Sequence, residues 1–471
     1  MSTATIVGGG PNGLAAAITL ARGGMEVTLL EAGDTVGGGL RSFEAIVPGL
    51  VHDHCAAIHP MAVGSPFLAT LDCERLGLHW RSAELDCVHP LDDGSAGVLH
   101  RSVADTAAGM GADGGVWRAL FDRPVRKFDV LGPAVLDSLV KVPRHPFELA
   151  RFGMPTVLPG SVLARFFRTP QARALWGGIA AHTFRPLNQP LTSAIGLGIT
   201  TAGHRFGWQV AEGGSGRIAD VMERTLLELG GRIETGVRVS SFADLPSADV
   251  TMFDLDPRAV AAICADRLPN RVLRELRRFR HGPGAFKVDF AVREGIPWTN
   301  PDARRSGTVH LGGDFAEVAA TERTIQQGRM PERPFVLVGQ QYLADPGRSV
   351  GDVHPVWAYA HVPNGYRGDA TEAIIGQIER FAPGFRDRIV GKEVCSTTEM
   401  PSYNSNYVGG DINTGSKDAV QLVLGPRLSV HPYDLGVPGV YICSAATPPG
   451  PGGHGMCGFH AAERALRKLP N

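Results

Sequence analysis

The sequence lacks any long hydrophobic run: no window approaches the roughly 18 uninterrupted apolar residues of a membrane-spanning helix. Its opening, MSTATIVGGG, has no basic segment and no apolar stretch of signal-peptide length. Cysteine is scarce. Cys55, Cys73, Cys87, Cys264, Cys395, Cys443 and Cys457 are odd in number, scattered and never spaced C-x-x-C, which speaks against a disulfide framework or a zinc knuckle. Net charge is nearly absent, with 46 Lys and Arg against 47 Asp and Glu, so no basic field exists to hold nucleic acid. No G-x-S-x-G elbow sits on a strand-to-helix turn, which leaves Ser/His/Asp hydrolysis unsupported. His52 and His54 stand two apart without a third ligand nearby, so no metal is expected. These absences imply a reducing, cytoplasmic address, with peripheral membrane contact through an amphipathic surface left open. Glycine and proline are plentiful: 60 Gly and 34 Pro exceed the usual share of roughly 12%. With 43% hydrophobic residues in 471, the chain is folded and loop-rich, with room for about three domains of roughly 150 residues, or two with one large.

What is present begins at once. Thr3 to Val7 has β character, GGGPNG follows, Leu14 to Arg22 is rich in Ala and Leu, and Val27 to Leu30 makes a second strand. Gly8, Gly10 and Gly13 have G-x-G-x-x-G spacing. Such a turn lets the backbone approach a pyrophosphate closely and aims a helix N-terminus at the anion. Glu31 ends the second strand, where a carboxylate can accept hydrogen bonds from both ribose hydroxyls of an adenosine. Together these predict a dinucleotide site. Gly213-Gly214-Ser215-Gly216 precedes a helix whose apolar positions Ile218, Val221, Met222, Leu226 and Leu229 follow i, i+3, i+4 spacing, and GGRIETGVRVSSF and ADVTMFDLDP are strand-like, the latter ending near Asp254. A second G-x-G-x-x-G with its following acid does not occur, so no separate NAD(P)H domain is expected.

After Glu31 the sequence AGDTVGGGLRS places Gly37 and Gly38 at E-x-x-x-x-x-G-G spacing. This pattern resembles the FAD-binding superfamily of phytoene desaturases and flavin amine oxidases, in which the pair passes near the FAD phosphates. Gly39 stands where an Arg often follows the pair, and Arg41 is the available substitute for its phosphate contact. The C-terminal run GVYICSAATPPGPGGHGMCGFHAAERAL is similar to the closing motif of carotenoid desaturases. There a helix N-terminus faces the flavin pyrimidine edge; Gly453, Gly455, Met456 and Gly458 are the matching positions, and Val239 matches the residue whose backbone pairs with adenine. Segments such as PGLVHDHCAAIHPMAVGSPF, GTVHLGG and WAYAHVP resemble the uncharacterised branch of phytoene-dehydrogenase-related oxidoreductases, whose relatives take long apolar substrates.

The resemblance implies an α/β fold: a discontinuous Rossmann-like FAD-binding domain from residues 1–75, 205–275 and 418–471, and an α+β substrate domain with a mixed sheet. Of the latter, 76–204 is expected to be helical and 276–417 to supply the sheet through GAFKVDFAV, PFVLVGQQY and VWAYAHV.

Three residues are candidates for chemistry. Lys287 matches the strand Lys that in flavin amine oxidases holds a water at flavin N5; it shares a strand face with Ala285 and Asp289, and the alternative is an exposed surface pair with Asp289. His59, in the segment expected to pass the isoalloxazine, and His454, before the closing helix, could act as base or orient substrate, or could be structural. Tyr359, His361, Asn404, Asn406 and Tyr407 are pocket candidates of lower rank.

The implied activity is that of a dehydrogenase or desaturase with noncovalent FAD: hydride leaves an apolar small molecule for flavin N5, a base takes the second proton, and oxygen or a quinone reoxidises the flavin. A flavin amine oxidase, a redox-neutral isomerase and a non-catalytic flavoprotein are the alternatives. Seven Tyr and six Trp are few for the aromatic cage of an amine oxidase.

Overall fold

The computed structural model describes residues 2–138 and 145–469 and is organised around two large sheets. The first is parallel and five-stranded, in the order Val440–Ile442, Val250–Phe253, Thr3–Val7, Glu26–Leu30, Arg232–Glu234. Its strands come from three separated stretches of chain. The inner ones are apolar runs because both sheet faces are covered. On one face lies the helix Pro11–Arg22, started by a proline that needs no N–H there. Glycines set how closely it packs. A Cβ on Gly13 would fall 1.9 Å from the Gly8 carbonyl oxygen, and one on Gly458 would fall 1.8 Å from that of Asn12, which brings the helix Met456–Leu466 against Pro11–Arg22. The stretch expected to return as a long strand after residue 230 pairs only over Arg232–Glu234, so Val239 lies beyond the ladder.

The second sheet has seven strands and mixed pairing, in the order Ile389–Cys395, Gly284–Arg293, Val353–Val362, Val336–Gly339, Ser306–Leu311, Leu85–Pro90, Ala96–Leu99. The last two correct the expectation that 76–204 is helical: that stretch first supplies a hairpin and only then the helices Gly114–Arg126, Pro146–Thr156, Pro170–Ala181 and Ala194–Phe206. The hairpin turn, at Asp92-Asp93-Gly94-Ser95, carries a local signal, a DG pair between apolar runs. Successive strand residues face opposite sides, so the sheet separates two cores. Phe286, Val288 and Phe290 pack on one face, and Ala285 joins the helical layer on the other.

Register places His310, Leu337, Tyr359, Lys287 and Cys395 opposite one another on five neighbouring strands. Directly paired residues share a face, and in this row it is the face turned toward the helices. Arg348, fully buried, ties together the short strands Val51–Asp53 and Val210–Ala211: it pairs with Asp53, donates to Asp345 at 3.0 Å and reaches the Ala211 carbonyl at 2.6 Å.

Candidate active site

The carboxyl ends of the parallel strands open on a cavity of about 1240 Å³, larger than the roughly 300–1,000 Å³ of an ordinary small-molecule pocket. It runs from the glycine loop, where Gly8, Gly10, Glu31 and Val239 line it, to the second sheet, where Leu337, Trp357 and Tyr359 do. One cavity thus spans the crevice at which α/β sheets bind ligands and an apolar chamber beyond it.

The loop fits a dinucleotide diphosphate. Gly8 takes a positive φ of 101°, which favours glycine. Gly10 caps the first helix without a side-chain hydrogen bond. Pro11 has no N–H and the Gly13 amide donates to Asp254 at 2.8 Å, so the Asn12 amide remains at the mouth of the loop with the positive end of the helix dipole. A Cβ on Gly38 would stand 3.0 Å from the Gly10 Cα; side chains at either position would fill the cradle. The Gly37 amide donates to the Gly9 carbonyl at 2.7 Å and holds the second glycine pair against the loop.

Glu31 stands at the far end of this cradle. Its carboxylate accepts the Gly9 and Gly33 amides, each at 2.7 Å, and lies 3.3 Å from Arg41 Nη2. Arg41 also donates from Nε to the Thr35 carbonyl at 3.1 Å, so its charge sits beside Glu31. The glycine at 39 has a steric reason: a Cβ there would fall 2.0 Å from the Tyr407 hydroxyl. Gly453 lines the cavity, whereas Gly13, Gly37, Gly455, Met456 and Gly458 stand behind its wall. There they allow close packing, as at Gly455, whose Cβ would lie 2.9 Å from atoms of Ala15 and Phe67.

His59 and His454 both line the cavity, and burial pushes each imidazole down to about 4, so both are neutral at pH 7. Their protons can be placed. Ser215 Oγ donates its hydrogen to the Ala56 carbonyl at 2.7 Å, so His59 Nε2, 2.7 Å from that Oγ, is the donor and Nδ1 is bare. In His454 the Met456 amide donates to Nδ1 at 3.1 Å, which leaves the proton on Nε2. The cavity therefore holds one imidazole poised to accept a proton, at His59, whereas the N–H of His454 is directed at the Pro451 carbonyl.

Lys287 is placed differently from either expectation. It is 3% exposed, which excludes a surface pair, and it does not line the cavity. Its ammonium pairs with Asp289 and lies 5.7 Å from the Phe43 ring centroid. Asp289 Oδ1 is in turn 3.4 Å from His52 Nδ1. The row of paired strands puts Lys287 one strand from Tyr359, beneath the segment that carries His54 and Cys55. Tyr359, Asn404, Asn406 and Tyr407 line the cavity, while His361 is buried against Glu322 at 2.7 Å. His54 is stacked between Phe43 and Tyr403, each 4.1 Å away. Among the described residues no group of three or more His, Cys, Asp or Glu could hold a metal ion.

Asp254, Lys417, His182 and Trp208 are among the lining residues that escaped the sequence reading as site residues. Asp254, at the end of a central parallel strand, has its carboxyl pushed up to about 7 by burial, against the Gly13 hydrogen bond and with Glu31 adding to the rise. Its position after the VTMF strand was a usable signal. The Lys417 ammonium is pushed down to about 8 by burial. His182 caps the helix Pro170–Ala181 in the first insert, and Trp208 stands two residues past the helix Ala194–Phe206; no local pattern distinguishes them.

Residues 6–71 match the model of an NAD(P)-binding Rossmann-like domain. Hydroxyneurosporene desaturase of Cereibacter sphaeroides is 28% identical over 374 residues, which cover 69% of this chain and 69% of that protein. Among solved structures, an oxidoreductase from Methanosarcina mazei superposes with a TM-score of 0.63 at 16% identity, over 98% of this chain and 100% of that one. A putrescine oxidase does so with a TM-score of 0.62 at 16% identity, over 99% and 98%.

Proposed function

We propose that this chain, similar to a hydroxyneurosporene desaturase and sharing its fold with a putrescine oxidase, is an FAD-dependent oxidoreductase, a dehydrogenase or desaturase that binds FAD noncovalently and oxidises an apolar small molecule, with oxygen or a quinone as the final acceptor. The observation that carries this reading is the single cavity joining the glycine cradle to an apolar chamber. FAD held there would supply a two-electron acceptor, taking hydride from a substrate C–H at N5.

This chain's residues divide the remaining work. The glycine loop and the Asn12 amide face the diphosphate, Glu31 the adenosine ribose, and the Gly37-Gly38 pair backs the cradle. The bare Nδ1 of His59 takes the proton released with the hydride, while His454, held by the Met456 amide and the Pro451 carbonyl, shapes the cavity wall. Trp208, Leu337 and Trp357 keep water from the reacting carbon. Among the described residues there is one parallel sheet with one such loop, which supports FAD over a bound nicotinamide pair.

Among the described residues no helix is long and apolar enough to cross a membrane. The helix Pro146–Thr156 nevertheless exposes Phe147 and Met154, 89% and 68% accessible, and Met154 also lines the cavity together with Leu149 and Phe152. An apolar substrate that partitions into lipid would enter here, with the helix resting on the membrane surface.

Acid precipitation of the purified protein tests the cofactor reading. A yellow supernatant with the mass of FAD, near one per chain, is expected; flavin retained on the polypeptide, or FMN, overturns it.

A further inference from the structure

Beyond the cofactor, the substrate half of the cavity has polar groups of a distinctive kind. The helix Pro170–Ala181 ends at His182, which lines the cavity. Its Nε2 is 3.1 Å from His310 Nε2, and His310 Nδ1 is 3.5 Å from the Cys87 thiol. Gly178 makes room for this stack: a Cβ there would fall 2.6 and 2.7 Å from the Nδ1 atoms of His89 and His310. His182 Nδ1 has no hydrogen-bond partner among the described residues, and neither does the hydroxyl of Tyr359, a residue 8% exposed. Tyr359 stands two strands from His310 in the row of paired residues, with Leu337 between them.

Both groups are neutral. Burial pushes His182 down to about 3, His310 well below its ordinary value and Tyr359 upward. Two neutral imidazoles meeting Nε2 to Nε2 share one proton. When His310 carries it, His182 presents N–H to the cavity at Nδ1; when His182 carries it, Nδ1 is a bare acceptor. The pair thus adapts to a donor or an acceptor without acquiring charge. A buried ammonium requires a carboxylate. The nearby one, Glu322, is spent on His361. The acidic lining residues Glu31, Asp34 and Asp254 belong to the glycine-cradle end, and Asp137 lies against His460.

Resting on the reading of this cavity as an oxidoreductase site, we propose that His182 and Tyr359 form a docking site for a neutral oxygen function, a hydroxyl or a carbonyl, on an otherwise apolar substrate. The oxygen accepts from Tyr359 and exchanges a hydrogen bond with His182 Nδ1, whose tautomer follows the ligand. A pure hydrocarbon leaves both groups unpaired in an apolar wall, which costs affinity. An ammonium finds no counter-charge there.

The test uses purified holoprotein and three probes of one shape: propenylbenzene, cinnamyl alcohol and cinnamylamine. Binding is followed by quenching of tryptophan fluorescence, since Trp208 and Trp357 line the chamber, and by perturbation of flavin absorbance. Cinnamyl alcohol is expected to bind about tenfold or more tighter than propenylbenzene, and protonated cinnamylamine no tighter than the hydrocarbon. Tyr359→Phe and His182→Phe should each shrink the advantage of the alcohol while leaving propenylbenzene affinity unchanged. Tyr359→Phe removes a single oxygen and decides the matter if the His182 variant does not fold. An alcohol that binds no better than the hydrocarbon, an amine that binds best, or an advantage that survives Tyr359→Phe overturns the proposal. Protein purified without flavin would refute the cofactor reading, yet the tryptophan signal would still report on this docking site.

Discussion

The Asp254 carboxylate accepts the Gly13 amide at 2.8 Å, inside the turn that faces the diphosphate. Burial raises this carboxyl to about 7, so between the unfolded value near 4 and about 7 the folded state holds a proton that the unfolded chain has lost. Its contribution to stability therefore falls as pH rises through that window. Above about 7 a second negative charge develops beside the cofactor's own. FAD affinity should decline there in the wild type. Asp254→Asn, which keeps an oxygen for the Gly13 amide, should flatten the profile. Titration of apoprotein with FAD from pH 6 to 9 measures both, and identical slopes would contradict the placement.

Glu31 offers a second test. Replacement by Ala should weaken FAD binding by about 2–3 kcal/mol, or about 30- to 150-fold, through loss of charge-assisted hydrogen bonds. Because the carboxylate also accepts the Gly9 and Gly33 amides, Glu31→Gln should lose less than Glu31→Ala. Unchanged affinity in the Ala variant by apoprotein titration would remove the ribose assignment.

The link between the short strands Val51–Asp53 and Val210–Ala211 depends on Asp53 and Arg348. Burial alone would raise the Asp53 carboxyl, but the Arg348 charge and hydrogen bonds from Ser42 and the Ser215 amide outweigh it and hold the group below its ordinary value. A depressed folded pKa gives stability that is complete above the unfolded value near 4 and is lost as pH falls through the folded one. Asp53→Asn leaves the Arg348 charge to Asp345 alone and should cost about 3–5 kcal/mol. Urea unfolding at pH 7 and pH 3.5 checks both parts: the difference between variant and wild type should shrink in acid.

Lipid contact rests on Phe147 and Met154, with exposed Arg151 on the same helix. Replacing both apolar residues by Ser should weaken co-sedimentation with anionic phosphatidylglycerol vesicles by about tenfold or more, since each contributes up to about 1.5–3 kcal/mol when buried. Equal sedimentation of the two proteins would place the substrate entrance elsewhere.

The cradle was legible because its parts are local. Gly8, Gly10 and Gly13 are constrained by backbone geometry within one turn, and the alternation of strand, loop and helix shows in a few residues on either side. The strands of the second sheet that carry Lys287 and Tyr359 were legible as apolar runs. The hairpin Leu85–Pro90 and Ala96–Leu99 was masked by the aromatic, helix-like chain that follows it. His182 and Trp208 were not legible at all. Their importance comes from register, which sets His310 against Leu337 and Tyr359 across strands far apart in sequence, and from a helix end that delivers His182 onto that row. Such meetings have no local pattern.

Lys287 shows how far motif matching carries. Its strand position matches the Lys of flavin amine oxidases, but its ammonium is paired with Asp289 and buried away from the cavity. Lys287→Met leaves Asp289 with the imidazoles of His52 and His54 but no Lys or Arg partner, and an uncompensated buried carboxylate costs about 3–5 kcal/mol. Stability should fall accordingly and largely return in the double variant Lys287→Met with Asp289→Asn, which removes the stranded charge. Reoxidation of dithionite-reduced enzyme by oxygen, followed by stopped flow, should stay near the wild-type rate in the double variant. A positioned charge acting at the flavin predicts the opposite: a loss on the order of 100-fold that the second substitution does not repair. Such a persistent loss would show that Lys287 reaches the cofactor through water, and the base assigned to His59 would then have to share its role.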